Sequence, residues 1–322
     1  MRNIKDCGAA GDGVAFDTMA IQNAVNDVGS VYIPEGNLKI STEIDSASQH
    51  IGEERAIEYI AEAGFDAWDF SMFGMCTWDQ KTGIVMPGDG PLGRSDYLSF
   101  ARKLKRIGLD CGIHCNQSHA PFPSTPMRDW LKRAIECTAE AGGNICVIHP
   151  DNDKTAEENA EMYLELLPFA KEHGVKIATE NMWNWDQKKG EACFAACGTA
   201  KSFREHIDVV NDEMFVACLD IGHAEMRGMN TSAVEMIYAL GEKLQALHIH
   251  DNDKHYDSHQ IPFSMQIDFK SIVCALKEIK YEGYFTLEAD SYLRDCPKEM
   301  ILSRLKELAE SARKLANMYE SA

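Results

Sequence analysis

Residues 246–259, "ALHIHDNDKHYDSH", contain four of the eleven histidines of this 322-residue chain, together with three aspartates. Imidazole nitrogens and carboxylate oxygens are common metal ligands in proteins. His248 and His250 are two residues apart, so on a strand their side chains point to the same side. The stretch therefore predicts one wall of a metal site, to which either histidine or both contribute.

Three carboxylates occupy similar places elsewhere in the chain. Glu180 follows "IAT", Asp220 follows "VACL" and Glu288 follows "FTL". A carboxylate beside such apolar runs needs a cation or several hydrogen bonds to stay ionised. With one histidine, these side chains supply a mixed nitrogen and oxygen set that suits Mn²⁺, Mg²⁺, Co²⁺ or Zn²⁺. The sequence thus predicts a divalent metal as cofactor.

From residue 38 onward, eight short apolar runs alternate with amphipathic helical stretches. The predicted strands are 38–44, 65–71, 109–115, 144–150, 175–181, 214–220, 244–250 and 283–289. Eight strand–helix units of this length match an α/β fold, the (β/α)8 TIM barrel, in which the carboxyl ends of the strands meet at one rim. An open doubly wound sheet is the runner-up, but it normally shows a glycine-rich phosphate turn after an early strand. "GDGPLGRS" follows no clear strand, so we favour the barrel.

Residues 1–37 do not follow the barrel pattern. "NIKDCGAAGDGVAFDT" and "VYIPEG" resemble the start of pectate-lyase-like β-helix domains. A β-helix buries its core only by stacking many coils, and no such repeats follow. We therefore predict an appended segment, 1–37, without a chemical role, before a barrel domain, 38–322.

The motifs "ATEN", "CLDIGHA", "LHIHDND", "DSHQIP" and "TLEAD", in this order, resemble the xylose isomerase-like TIM-barrel superfamily. Its members include sugar and sugar-phosphate isomerases and epimerases and the endonuclease IV enzymes, and the resemblance covers residues 38 to about 318. For the ketose 3-epimerase members it implies a metal held by four side chains, here Glu180, Asp220, His248 and Glu288. It also implies that the two glutamates act as acid and base on opposite sides of the substrate.

The same resemblance implies substrate contacts beside the metal. His223, three residues after Asp220, corresponds to a histidine that holds a substrate oxygen. Lys254 replaces the family's arginine, which departs from the pattern and leaves its substrate contact in question. Independently of the resemblance, Trp183 and Trp185 follow Glu180 and either offer aromatic faces to a sugar or anchor the rim loop. His250 is a further neighbour of the substrate or of the metal ligands.

Endonuclease IV members carry additional zinc ligands, and this chain has counterparts for them. His119 and His149 match the extra histidines after strands three and four. Asp257 and His259 match an Asp-x-His pair that forms a third zinc site with His223. These residues are candidates for an additional metal or for the substrate. The net charge of −19 argues against DNA, because nucleic-acid affinity depends on Lys and Arg that neutralise phosphates.

We therefore expect a metal-dependent isomerase or epimerase that acts on a small sugar or sugar phosphate. Glu180 or Glu288 would remove the proton next to a carbonyl, the metal would stabilise the enediolate, and the other glutamate would return a proton. The alternatives are a dehydratase of a cyclic polyol or keto acid, and an endonuclease IV-like zinc hydrolase. A non-catalytic sugar-binding module is least favoured, because both acid/base positions are intact.

Other features of the sequence indicate where the protein resides and what kinds of partner it has. No apolar run approaches the ~20 residues of a membrane span, and the first ten residues lack the pattern of a signal peptide. We expect a cytoplasmic protein with neither a membrane nor a nucleic-acid partner. The eleven cysteines are irregularly spaced, which is typical of reduced thiols. Barrels of this kind often pair, so a homo-oligomer is compatible with the sequence.

Overall fold

The computed structural model describes residues 38–322 and, before them, only the backbone of Arg2–Asn3 and Val31–Tyr32, which pair as two short parallel strands. The prediction of an appended pectate-lyase-like segment at 1–37 otherwise falls outside the described residues. From residue 38 the chain folds as an α/β barrel.

Eight parallel strands form the barrel. They are β1 (Ile40–Glu43), β2 (Ala67–Ser71), β3 (His114–His119), β4 (Ile145–Val147), β5 (Lys176–Glu180), β6 (Phe215–Asp220), β7 (Leu244–His248) and β8 (Phe285–Leu287). Their order in the sheet is β7-β6-β5-β4-β3-β2-β1-β8. The barrel closes between β7 and β8, where the Ile249 N–H donates to Thr286 O at 2.9 Å and the Glu288 N–H donates to Ile249 O at 3.0 Å. The predicted TIM-barrel fold is confirmed.

Helices follow the strands and cover the outside of the barrel. They are α1 (Asp45–Ile51), α2 (Glu53–Ala63), α3 (Tyr97–Asp110), α4 (Arg128–Ala141), α5 (Ala156–Glu172), α6 (Ala200–Val210), α7 (Ile221–Ala224), α8 (Ala233–Leu240), α9 (Phe269–Glu278), α10 (Asp290–Arg294) and α11 (Ile301–Ser321). Two hairpins extend from the loops after β2 and β5, namely Cys76–Asp79 with Ile84–Pro87 and Asn184–Asp186 with Glu191–Cys193. No helix of residues 38–322 is long and apolar enough to cross a membrane.

The third strand is the one that sequence analysis placed wrongly. The prediction was 109–115, but α3 continues to Asp110 and β3 begins at His114. Leu109 is 58% exposed at the end of the helix, so the apolar residues of "LDCGI" do not belong to a buried strand. The true strand, "HCNQSH", is almost wholly buried yet polar. Its side chains form hydrogen bonds inside the barrel, which hydrophobic periodicity cannot reveal.

The interior of the barrel explains why the candidate residues stand where they do. A small apolar cluster, separate from the larger core between strands and helices, consists of Ile145, Val147, Ala178, Val216, Cys218 and Ala246. Glu180, Asp220 and His248 each follow a member of this cluster by two residues on the same strand. Because side chains on a strand alternate with a period of two, the polar layer lies directly above the apolar one. The barrel therefore presents its carboxylates and imidazoles on an apolar floor.

Candidate active site

Four side chains converge at the carboxyl ends of β5 to β8. One potential ligand atom from each of Glu180, Asp220, His248 and Glu288 lies within 4.8 Å of all the others. Nδ1 of His248 is 2.9 Å from Oε1 of Glu180 and 3.5 Å from Oε2 of Glu288. Asp220 is the N-cap of α7, where its Oδ1 accepts the His223 N–H at 2.7 Å. The structure thus brings together the whole predicted metal set.

The far nitrogen of His248 contacts a residue that sequence analysis missed. Asp69, at the inner face of β2, is fully buried, and its Oδ2 lies 3.3 Å from Nε2 of His248. The same oxygen accepts Nε2–H of Gln117 at 2.8 Å. An aspartate in the centre of the apolar run "AWDFS" was the available signal, because a buried carboxylate needs partners. A carboxylate behind a metal histidine fixes its tautomer and orientation.

His119 and His149 lie on the other side of Glu180. Nε2 of His149 is 3.1 Å and Nε2 of His119 is 3.4 Å from Oε2 of this glutamate, and the two Nε2 atoms are 2.8 Å apart. Nδ1 of His119 donates to Ala120 O at 2.9 Å. The two histidines therefore share the second oxygen of Glu180, whose first oxygen contacts His248.

A second cluster forms beside the first from His223, His250, Asp257 and His259. Oδ2 of Asp257 is 3.1 Å from Nε2 of both His223 and His259. The His250 ring stacks on His259 with centroids 3.8 Å apart, and its Nε2 lies 3.1 Å from Oδ1 of Asp220. Sequence analysis grouped His223, Asp257 and His259, whereas it gave His250 as a possible ligand of the first metal from its spacing and as a substrate neighbour.

The hydrogen bonds of these histidines test whether a cation fits. Nδ1 of His223 donates to Asn181 O at 2.9 Å, and Nδ1 of His259 donates to Glu288 O at 2.8 Å. In the neutral rings the lone pairs on Nε2 then face Asp257 Oδ2, an arrangement that repels unless positive charge lies between them or the rings are protonated. His248 repeats the pattern, because its Nε2 donates to Asp69 while Nδ1 faces Glu180.

Several buried atoms in the two clusters have no hydrogen-bond partner. They are Oδ1 of Asp69, Oδ2 of Asp220, both ring nitrogens of His250 and Oδ1 of Asp257. The 3.1 Å approach of His250 to Asp220 is therefore close without being aligned for a hydrogen bond. Buried polar groups are normally satisfied, and unsatisfied ones around convergent carboxylates are expected where a cation binds. The donor set of oxygens and imidazoles fits a divalent ion of the Mn²⁺ or Zn²⁺ kind.

The two glutamates differ in their electrostatic surroundings. Burial by itself raises the pKa of Glu180, but His248, His119 and His149 together lower it well below its usual value. Burial and the neighbouring Glu180 charge raise the pKa of Glu288, against the opposing effect of His248. The two carboxylates are therefore not equivalent: the surrounding histidines stabilise the charge of Glu180 more than that of Glu288.

The histidines respond to the same charges. Burial lowers the pKa of His223, but Asp220 and Asp257 overcome this effect and raise it to about 10. Burial and the nearby His119 lower the pKa of His149 to about 4. The carboxylates thus favour positive charge at the two clusters, and His149 remains a neutral ring beside Glu180.

A cavity of about 920 Å³ opens above these clusters. Glu180 and Glu288 line its inner end, whereas Asp220, His248 and His250 are buried and do not line it. Its walls include the other predicted site residues, namely His119, His149, Trp183, His223, Asp257 and His259. The cavity therefore reaches both clusters from the rim.

Two predicted substrate contacts have other partners. Nε1 of Trp183 donates to Asp257 Oδ2 at 3.2 Å, so its ring lines the cavity in an orientation set by the second cluster. Lys254 does not line the cavity, and its Nζ binds Oε2 of Glu225 at 2.9 Å. This ion pair engages the Lys254 amine, and the substrate contact of Lys254 stays a prediction.

One of the family models that match this chain covers its amino-terminal part. Residues 1–110 match a family model described as rhamnogalacturonase A/epimerase, pectate lyase-like. The structure nevertheless folds residues 40–110 as the first two strands and first three helices of the barrel. The likeness to pectate-lyase-like proteins therefore extends further along the chain than the predicted boundary at residue 37.

Solved structures of sugar epimerases share the barrel. A D-tagatose 3-epimerase-like protein superposes with a TM-score of 0.65 at 20% identity, over 88% of this chain and 100% of that one. A D-psicose 3-epimerase crystallised in the presence of D-fructose gives 0.63 at 14% identity, over 88% and 100% of the two chains. At these identities the likeness establishes the fold.

Sequence relationships establish the family. The protein MJ1311 of Methanocaldococcus jannaschii is 26% identical over 270 residues, which are 79% of this chain and 84% of the relative. The family model described as xylose isomerase-like TIM barrel matches residues 57–318, most of the chain. The chain belongs to the xylose isomerase-like TIM barrel family.

Proposed function

We propose that the protein is a divalent-metal-dependent sugar epimerase or isomerase that works by proton transfer between Glu180 and Glu288. One observation carries the proposal: both carboxylates line the cavity while approaching Nδ1 of the same histidine, His248. They are thus fixed on a common centre and open to the same substrate. A D-tagatose 3-epimerase-like protein and a D-psicose 3-epimerase have the same fold, which supports the assignment.

Glu180, Asp220, His248 and Glu288 would hold the ion. When bound, the cation would act as a Lewis acid on adjacent carbonyl and hydroxyl oxygens of the sugar. Asp69 holds the His248 ring, and Asp220 is held by its cap bond to α7. The donor atoms therefore need little reorganisation when the ion enters.

Glu180 and Glu288 would move the proton. One carboxylate accepts the proton from the carbon next to the carbonyl, and the other returns a proton to the opposite face or to the neighbouring carbon. One C–H bond breaks and one C–H bond forms; when the proton returns to the neighbouring carbon, a hydroxyl proton also moves to the former carbonyl oxygen, so the product has the mass of the substrate in both cases. His223 faces the cavity beside them, where its Nε2 can hold a substrate oxygen.

Substitution of each glutamate tests this proposal. Glu180→Gln and Glu288→Gln should each abolish exchange of substrate carbon-bound hydrogen with D₂O, followed by NMR over a panel of ketoses. Glu225→Gln is the matched control, because Glu225 is a shielded carboxylate that pairs with Lys254 outside the cavity. Full exchange in either glutamine variant would rule the mechanism out. A product lighter than the substrate by one water would indicate a dehydratase instead.

The second cluster favours one other function, a hydrolase with several zinc ions. His223, Asp257 and His259 form a separate ligand set, and His119 and His149 share Glu180 with the first. Elemental analysis of the purified protein separates the two functions. Three zinc ions per chain with cleavage of a phosphodiester would favour the hydrolase, whereas one ion per chain with hydrogen exchange would favour the epimerase.

A further inference from the structure

The cavity is larger than a single sugar requires. A hexose has roughly a dozen non-hydrogen atoms and displaces on the order of 200 Å³, about six times the share of one water in the liquid. The cavity above Glu180 and Glu288 measures about 920 Å³, near the upper end of typical ligand pockets. A ketose bound at the two carboxylates would leave room for at least one further ring.

Carboxylates outnumber histidines on the cavity wall, by six to four. Six carboxylates line it, from Asp151, Asp153, Glu180, Asp257, Glu288 and Asp290. Within residues 38–322, neither a lysine nor an arginine lines it. Lys154 stands just outside, and its Nζ is already 3.4 Å from Oδ2 of Asp151. Phosphate recognition depends on such cations or on free helix amides, so the walls favour a neutral ligand.

An aromatic wall stands on one side of the reacting centre. Phe73, Trp78 and Phe122 line the cavity from the loops after β2 and β3. The Phe73 and Phe122 rings meet edge to face at 5.4 Å, yet Phe122 remains 51% exposed. Aromatic faces of this kind pack against the apolar faces of sugar rings. The wall thus offers an apolar surface that no described part of the chain covers.

The aromatic wall lies within one side chain of the catalytic carboxylate. The Phe122 ring centroid is 5.1 Å from that of His149, whose Nε2 is 3.1 Å from Oε2 of Glu180. A ring joined to the reacting sugar would therefore reach Phe122 without leaving the cavity.

We propose that the substrate is a neutral saccharide of at least two units. Its ketose unit would lie at Glu180 and Glu288, and the adjoining sugar would lie against Phe73, Trp78 and Phe122. This inference rests on the proposed function, since it names the substrate class of the same site. The reaction remains a proton transfer next to the ketone, with the glycosidic bond intact.

The test compares D-fructose, D-fructose 6-phosphate, and maltulose and isomaltulose, two disaccharides that end in fructose. Dissociation constants come from ligand-observed NMR on the metal-loaded full chain, and hydrogen exchange with D₂O is followed in the same samples. The disaccharides should bind about 10-fold more tightly than fructose, the advantage expected of one aromatic wall. Fructose 6-phosphate should bind no more tightly than fructose.

Variants locate the advantage on the aromatic wall. Phe122→Ala, and independently Trp78→Ala, should remove most of the disaccharide preference and leave fructose binding unchanged. Phe194→Ala is the control, because Phe194 is 60% exposed but does not line this cavity. Equal weakening of fructose and disaccharide by both wall variants would overturn the proposal, as would tighter binding of the phosphate.

The outcomes separate this inference from the proposed function. Binding of disaccharides that depends on Phe122, without exchange in any sugar, would support the neutral saccharide while refuting the epimerase. Exchange of fructose or its phosphate without any disaccharide preference would support the epimerase and refute the neutral saccharide.

Discussion

Replacement of Asp69 by asparagine should weaken metal binding without removing any proposed metal ligand. Oδ2 of Asp69 accepts from both His248 Nε2 and Gln117 Nε2, at 3.3 and 2.8 Å. Asparagine keeps one acceptor oxygen but loses the negative charge that makes the imidazole a better donor to a cation. Because Asp69 is fully buried, little water is available to compensate for this charge.

The hydrogen bonds of Asp69 to His248 and Gln117 determine how much metal affinity each substitution should remove. Loss of such an outer carboxylate typically costs 10- to 100-fold in metal affinity, roughly 1.4–2.7 kcal/mol. Asp69→Asn retains the hydrogen bond, so we expect a loss of about 10-fold. Asp69→Ala leaves Nε2–H of His248 without an acceptor and leaves Nε2 of Gln117 only the longer bond to Leu247 O at 3.4 Å. We therefore expect a loss of about 100-fold in metal affinity and a loss of stability of about 1–3 kcal/mol for each unsatisfied donor.

Titration of the metal-free protein with Mn²⁺, followed by calorimetry, measures these affinities, and thermal unfolding measures stability. Glu43→Gln is the control, since Glu43 is the register partner of Asp69 on β1 and is also buried, but it binds Ser46 and not a histidine. Most of the turnover should return at saturating Mn²⁺ in Asp69→Asn. Wild-type affinity in both Asp69 variants, or an equal loss in Glu43→Gln, would refute the role given to Asp69.

Three further predictions concern residues around the site. Burial raises the pKa of Glu43 to about 8 from a usual value of 4.5, so the folded protein retains a proton that the unfolded chain has lost. Stability should therefore fall, on the order of a few kcal/mol, as pH rises from about 4.5 to 8, and denaturant titrations should show a flatter profile for Glu43→Gln. In Gly222→Ala, the new Cβ would lie 1.9 Å from Cε1 of His250, so we expect about 1–3 kcal/mol of destabilisation, measured by chemical unfolding. Lys254→Ala should leave the KM for sugar unchanged and cost less than about 1 kcal/mol of stability, because its partner is Glu225; a raised KM would restore Lys254 as a substrate contact.

The strands that sequence analysis placed well contain large or several apolar residues on at least one face. β5, β6 and β7 contain Ala178, Cys218 and Ala246 beneath their polar ends, so hydrophobic runs marked them within two residues. β3 was misplaced because "HCNQSH" has no large apolar residue on either face, and its burial depends on partners from other strands. Asn116, for example, donates to Thr286 Oγ1 of β8 at 3.2 Å, a contact that no local pattern encodes.

Some residues of the candidate site could likewise be predicted from the sequence, and others could not. Glu180, Asp220 and Glu288 stood out because each carboxylate follows an apolar run. Asp69 was hidden in such a run, and its partner His248 is 179 positions away in sequence. His250 could be read as a neighbour of the metal from its spacing, but its stacking on His259 depends on the loop after β7.

The buried polar side chains of β3, which made this strand hard to predict, also help to position the site residues. Gln117, which holds Asp69, accepts at its own Oε1 from Asn116 and Thr286, both at 3.3 Å. Asn116 in turn accepts from Ser41 Oγ at 2.7 Å. These bonds join β1, β2, β3 and β8 in one buried network that ends at the imidazole of His248. Since a network of satisfied buried bonds has few alternative arrangements, it restrains Asp69 and, through it, the orientation of the histidine. The apolar cluster of β4–β7 lies beneath Glu180 and Asp220, whereas the hydrogen-bond network of β1, β2, β3 and β8 orients the His248 ring.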